Sequence, residues 1–115
     1  MTNTVIKNVT AHFKAKLAGQ LLSMEVPEWN TTIYYRTTSS LRAESHIMGY
    51  TQQGKTAEAL VESIIQKSLD SEGNKLFKET DRATLLNEAD PKVLIMVAAK
   101  LNSASDDTIA DIEGN

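Results

Sequence analysis

The stretch whose residue types come nearest to chemistry is Gly49-Tyr50-Thr51-Gln52-Gln53-Gly54-Lys55-Thr56. Two glycines, a lysine and a hydroxyl residue stand at the spacing of a phosphate-binding loop. In such a loop, backbone N–H groups and the start of the next helix hold the phosphates. Lys55 would reach the outer phosphates and Thr56 a magnesium ion. Such a loop needs a buried parallel strand in front of it. Glu44-Ser45-His46-Ile47-Met48 is polar at its start and lies in a helical pattern instead. A parallel sheet with its crossovers also takes more chain than 115 residues offer beside the other segments. The motif therefore reads as a glycine-bounded turn between two helices, with nucleotide binding the rival reading.

No other grouping reaches catalysis. The chain has no cysteine, which excludes thiol chemistry and thiolate metal sites. Its two histidines are His12 and His46, and neither has a ligand-like context. Glu44 and His46 are two apart and do not share a helical face. Asp70, Glu72 and Asp81 flank a glycine turn without calcium-loop spacing, and Asp106-Asp107 falls in a polar tail. No catalytic residue, cofactor or metal is expected.

The elements that surround this stretch centre on Thr56 to Leu69. Ala57, Leu60, Val61, Ile64, Ile65 and Leu69 form one helical stripe, with Glu58, Glu62, Gln66 and Lys67 opposite. A helix of this length is marginal alone, so the rest of the chain should pack on it. Residues 1–9 read as a short helical turn or a loose arm. His12–Leu17 alternates as a strand through Phe13, Ala15 and Leu17, and Leu22, Met24 and Val26 alternate as a second. Pro27 ends that strand, Trp29-Asn30 turns the chain, and Thr32–Thr37 reads as a third strand. Tyr34 and Tyr35 point to opposite faces of it, and Trp29 is expected to be structural.

Ser39 or Ser40 caps a helix that turns Leu41, Ile47 and Met48 inward. Gly73 provides a helix end or tight turn. Thr80 or Asp81 caps a short helix carrying Leu85, Leu86 and Ala89. Asp90-Pro91 is a strong helix start. The run Val93–Ala99 leaves no polar face and is read as a helix, either central or covered partly by another protein. The expected fold is α+β and predominantly α: a small N-terminal antiparallel β meander on a bundle of about four helices. Residues 1–102 form a single domain, and 103–115 form an acidic tail in which only Ile109 and Ile112 make an apolar patch.

The bulk numbers suit one soluble domain, 41% hydrophobic and 23% charged. No apolar run approaches the roughly 20 residues that cross a bilayer, and the first residues lack a secretory core. Charge is uneven. Residues 1–55 carry a net of +3 and residues 56–115 a net of −6. Without a basic cluster, nucleic acid is not an expected partner. The segregation suits head-to-tail contact between copies, and such contacts leave an open oligomer or spiral.

Several segments, taken in order, resemble the tail assembly chaperones of long-tailed bacteriophages. They are V-P-E-W-N-x-x-I-x-Y-R (Val26 to Arg36), the helix start Leu41-Arg42, D-S-E-G-N-K-L-F (Asp70 to Phe77) followed by Asp81 and Leu85, and the last helix through Leu101-Asn102. The resemblance spans about Met24 to Asn102. The residues before Leu22 are less typical, and the Gly-Lys-Thr stretch lies outside the pattern.

The resemblance implies a non-catalytic morphogenesis factor in the host cell cytoplasm. It would bind and solubilise the tape-measure protein, help recruit tail-tube subunits, and be absent from the finished virion. It also implies a longer form made by ribosomal frameshifting that binds the tail-tube protein, this chain being the short form. Glu113-Gly114-Asn115 is compatible with the codons GAG-GGA-AAC, which contain a slippery heptamer. The candidate partner-binding residues are Met48, Leu76, Phe77, Val93, Met96, Val97, Ile109 and Ile112. The alternatives are a structural tail-completion or connector protein and, from a different class, a small nucleotide-binding protein using Gly49–Thr56.

Overall fold

The computed structural model describes residues 3–19 and 21–113, and side chains for 4–19 and 21–103. Helix α1 (Asn3–Leu17) leads into strands β1 (Leu22–Val26) and β2 (Thr31–Tyr35). Helices α2 (Leu41–Gln52), α3 (Thr56–Lys67), α4 (Arg82–Asn87) and α5 (Pro91–Glu113) follow. The α+β class, mainly α, is as expected.

The first third differs in one element. His12–Leu17 is the end of α1 and not a strand. Read over the whole segment, Val5, Val9, Phe13 and Leu17 recur every four residues, which is helical spacing. The two-residue alternation from Phe13 to Leu17 is a short excerpt of that stripe. Lys14 and Lys16 lie in the last turn, where the helix dipole favours cations.

The sheet is therefore a two-stranded hairpin. β1 and β2 pair antiparallel from Leu22↔Tyr35 to Val26↔Thr31. Pro27–Trp29 makes a single 3-10 turn between them, and Asn30 takes a left-handed conformation at φ 50°. A lone hairpin is marginal in water. Here Tyr34 exchanges both backbone hydrogen bonds with Leu69, at 2.9 and 2.7 Å, which ties β2 to the end of α3. Tyr35 is buried and Tyr34 half-buried, on opposite faces.

Helix α3 is the centre and packs against α2, α4 and α5. Val61, Ile64 and Ile65 join Val26 and Ile33 of the hairpin, Leu85 of α4, and Val93, Leu94, Val97, Ala98 and Leu101 of α5 in one core. The last five recur at spacings of one and three, so the all-apolar run of α5 resolves into a buried stripe. Ile95 and Met96 stay about half exposed. Ser40 Oγ caps α2 by accepting from the Ala43 amide at 3.2 Å. Asp90 Oδ1 accepts from the Lys92 amide at 3.0 Å at the start of α5.

Two expectations about faces do not hold. Leu41 is 83% exposed and Met48 54%, so neither turns inward. Ile47 is half-buried, and Glu44 reaches Lys67 of α3 at 2.9 Å. The polar face of α3 is not a solvated face either, since Glu62 and Lys67 are buried. Both are long enough to find partners on neighbouring helices, and burial of a charge requires such partners.

Candidate partner-binding groove

The phosphate-loop motif dissolves in the fold. Gly49 to Gln52 are the last turns of α2, and Lys55 precedes the first residue of α3. The amides that would cradle phosphate are spent inside the turn. Gln53 donates to the Gly49 and Tyr50 carbonyls, Gly54 to the Thr51 carbonyl, and Lys55 to the Tyr50 carbonyl at 2.9 Å. Gly54, at φ 75°, lets the chain reverse between two helices. The segment is the glycine-bounded turn.

Beside this turn, Ser45, His46, Tyr50, Glu62, Glu79 and Arg82 line an open polar cleft of about 530 Å³. Arg82 organises it. Its Nη2 lies 2.5 Å from Glu62 Oε1 on α3 and 2.7 Å from Glu79 Oε2. The guanidinium sits over the Tyr50 ring, 5.9 Å from its centroid. Burial pushes the Glu62 carboxyl up, but hydrogen bonds from Gln66 and Arg82 and the Arg82 charge outweigh it and hold it below the ordinary carboxylate value. Burial lowers the Arg82 guanidinium, and its bonds to Glu79 and Glu62 raise it overall. The one guanidinium of the cleft is held between two carboxylates and joins α4 to α3, so the cleft works as a helix-to-helix clamp.

A second clamp joins α2, α3 and α5. Lys67 Nζ lies 2.9 Å from Glu44 Oε1 and donates to Asn102 Oδ1 at 3.0 Å, while Asn102 donates to Ser63 Oγ at 3.1 Å. Ser39 Oγ donates to Glu44 Oε1 at 2.5 Å. Burial raises the Glu44 carboxyl, but Ser39 and Lys67 together bring it below the ordinary value.

The surface that can do something other than hold the fold is apolar. Trp29, Thr31, Leu76, Phe77, Thr84, Leu85, Glu88 and Ala89 line a groove of about 390 Å³ between the hairpin turn, the 76–77 segment and α4. Trp29 and Phe77 meet edge to face, centroids 6.4 Å apart at 82°, and both remain half-buried. Aromatic walls of this kind bury large area with little loss of rotamer freedom, which suits a partner's apolar side chains. On the other side of α4, sharing Leu85 and Ala89, a smaller apolar groove of about 210 Å³ runs along Leu60, Leu86, Pro91 and Ile95.

Of the residues expected to bind partners, Leu76 and Phe77 come together in the larger groove. Met48 and Met96 are exposed, 54% and 48%, but neither lines that groove. Val93 and Val97 are 6% and 0% exposed and lie in the core, covered by this chain itself. Ile109 and Ile112 lie outside the residues whose side chains are described. Sequence reasoning missed Thr84 and Glu88 as groove residues and Arg82 as the clamp. Glu79 and Arg82, three apart, carried a signal for the ion pair. Among the described residues no group of His, Asp or Glu could hold a metal ion, and no helix is long and apolar enough to cross a membrane.

No family model matches the chain, and no curated protein does. Among solved structures, the tail assembly chaperone of bacteriophage HK97 is similar over 92% of this chain and 94% of that one, with a TM-score of 0.60 and 21% identity. The chain thus shares the fold of that protein along nearly its whole length.

Proposed function

We propose that this protein is a phage tail assembly chaperone. It binds apolar helices of the tape-measure protein, keeps them soluble in the host cytoplasm, and aids recruitment of tail-tube subunits, in part through a longer frameshifted form. It leaves before the virion is complete. The observation that carries the reading is the Trp29–Leu76–Phe77 groove set in a fold shared over most of its length with the HK97 tail assembly chaperone.

The groove is apolar, open, and rimmed by polar Thr31, Thr84 and Glu88. That arrangement takes an amphipathic helix by its apolar face. In the polar cleft Arg82 is held between Glu62 and Glu79, which gives it a role in fastening the fold. The test is co-expression with the tape-measure protein of the same phage. Wild type should raise the client's soluble fraction. Thr84→Arg, an exposed change that fills the groove without touching the core, should not. A client equally soluble without the protein refutes the proposal.

A further inference from the structure

Among the described residues, no ion pair or side-chain hydrogen bond engages the Glu88 carboxylate. Its acidic neighbours are all engaged. Glu79 holds Arg82, Asp81 accepts from the Lys78 amide at 2.7 Å, and Asp90 accepts from the Lys92 amide at 3.0 Å. Glu88 is also the C-terminal cap residue of α4, where its amide donates to the Thr84 carbonyl at 2.8 Å. The carbonyl end of a helix carries partial negative charge, so a carboxylate there is unfavourable. The fold gives no reason for an acid at this position.

The groove does. Of the described residues that line the Trp29–Phe77 groove, Glu88 alone is charged. It is exposed and follows Thr84 by one helical turn, so the two share one face of α4 at the groove. Glu28 and Lys78, the chain neighbours of Trp29 and Phe77, do not line it. A lone carboxylate beside an apolar slot discriminates by charge. It attracts a cation carried next to an apolar side chain and repels an anion. We propose that Glu88 selects the client. The groove takes an amphipathic helix whose apolar side chain enters beside Trp29 and Phe77 and whose Lys or Arg, three or four residues away, meets Glu88. The selection rests on the groove being the client site. Residues 103–115 of this chain carry Asp106, Asp107, Asp111 and Glu113 and no basic residue, so Glu88 disfavours them as an occupant.

Three tryptophan-free peptides of about 18 residues provide the test. They share one amphipathic helix with a leucine stripe and differ in the two residues that flank the central leucine one turn away. These are both Lys, both Gln or both Glu. Binding is read from the emission of Trp29, the chain's single tryptophan. Wild type should bind the Lys peptide roughly five- to tenfold more tightly than the Glu peptide, with the Gln peptide between. The gap should narrow at high salt. Glu88→Gln should bring the Lys and Glu peptides within about twofold of each other, and Glu88→Lys should reverse their order. Both variants should melt no lower than wild type, because each removes a negative charge from a helix end that disfavours it. Equal affinity of wild type for the Lys and Glu peptides, or a preference that survives Glu88→Gln, overturns selection by Glu88 and leaves the groove as the client site. If none of the peptides binds, by emission or by calorimetry, the client site falls and the selection with it. Emission that moves with the protein's own concentration and ignores the peptides puts a second copy in the groove and overturns the selection as well.

Discussion

Arg82 Nη2 and Glu62 Oε1 are 2.5 Å apart, and this pair fastens α4 to α3. Glu62 is 2% exposed, so its charge is stable there only while Arg82 and Gln66 serve it. Removing one partner of a buried pair costs more than the pair is worth, because the other is left uncompensated. Arg82→Ala should therefore destabilise the fold by about 3 kcal/mol. Replacing both partners, Glu62→Met with Arg82→Leu, should cost clearly less than Arg82→Ala alone. Urea unfolding of the three variants checks the order.

The same carboxyls set the response to acid. Glu44 and Glu62 both titrate below the ordinary carboxylate value in the folded chain, their partners outweighing burial. A group with a depressed folded value stabilises fully above its unfolded value and loses that contribution as pH falls through the folded one. Stability should thus be flat from neutral pH to near the unfolded value of 4.5 and decline below it. Glu44→Gln should make the decline shallower, as read from melting temperature against pH.

Two glycines should respond in opposite directions. Gly73 sits at φ 85°, and a Cβ there would come within 2.9 Å of Arg36 Nη2. Gly73→Ala should destabilise by about 1–3 kcal/mol, the range for a non-glycine residue held in a sparsely populated backbone region. Gly49 lies within α2 with nothing within 4 Å of its missing Cβ. Gly49→Ala should stabilise by about 0.5–1 kcal/mol.

The turn reading has a direct check. Magnesium-ATP should leave the melting temperature of wild type unchanged, and Lys55→Ala, at an exposed position, should alter stability by no more than about 0.5 kcal/mol. A shift on adding nucleotide that Lys55→Ala abolishes would restore the nucleotide-binding reading.

What could be read from residue order alone was what local chemistry decides. The Ser40 cap, the Asp90-Pro91 start and the Pro27 break depend on near neighbours and stand where the pattern puts them, and the stripe of α3 is buried from Val61 through Ile65 while Ala57 is exposed. What escaped was set by distant partners. Glu62 and Lys67 look like surface residues until Arg82, Glu44 and Asn102 are brought beside them. Leu41 and Met48 look like core by spacing, but α2 turns another face to α3 and leaves both exposed. Helix α1 was hidden by a short alternation inside a longer four-residue period, and the larger groove joins residues as far apart in the chain as Trp29 and Ala89.

Trp29 is the chain's single tryptophan, and it lines the larger groove. Its emission therefore reports whether that groove is filled. Titrating a tryptophan-free amphipathic helix from the tape-measure protein should give a saturable blue shift in wild type and none in Thr84→Arg. Emission that stays constant while the helix binds elsewhere, or a tape-measure helix that does not bind at all, contradicts the account.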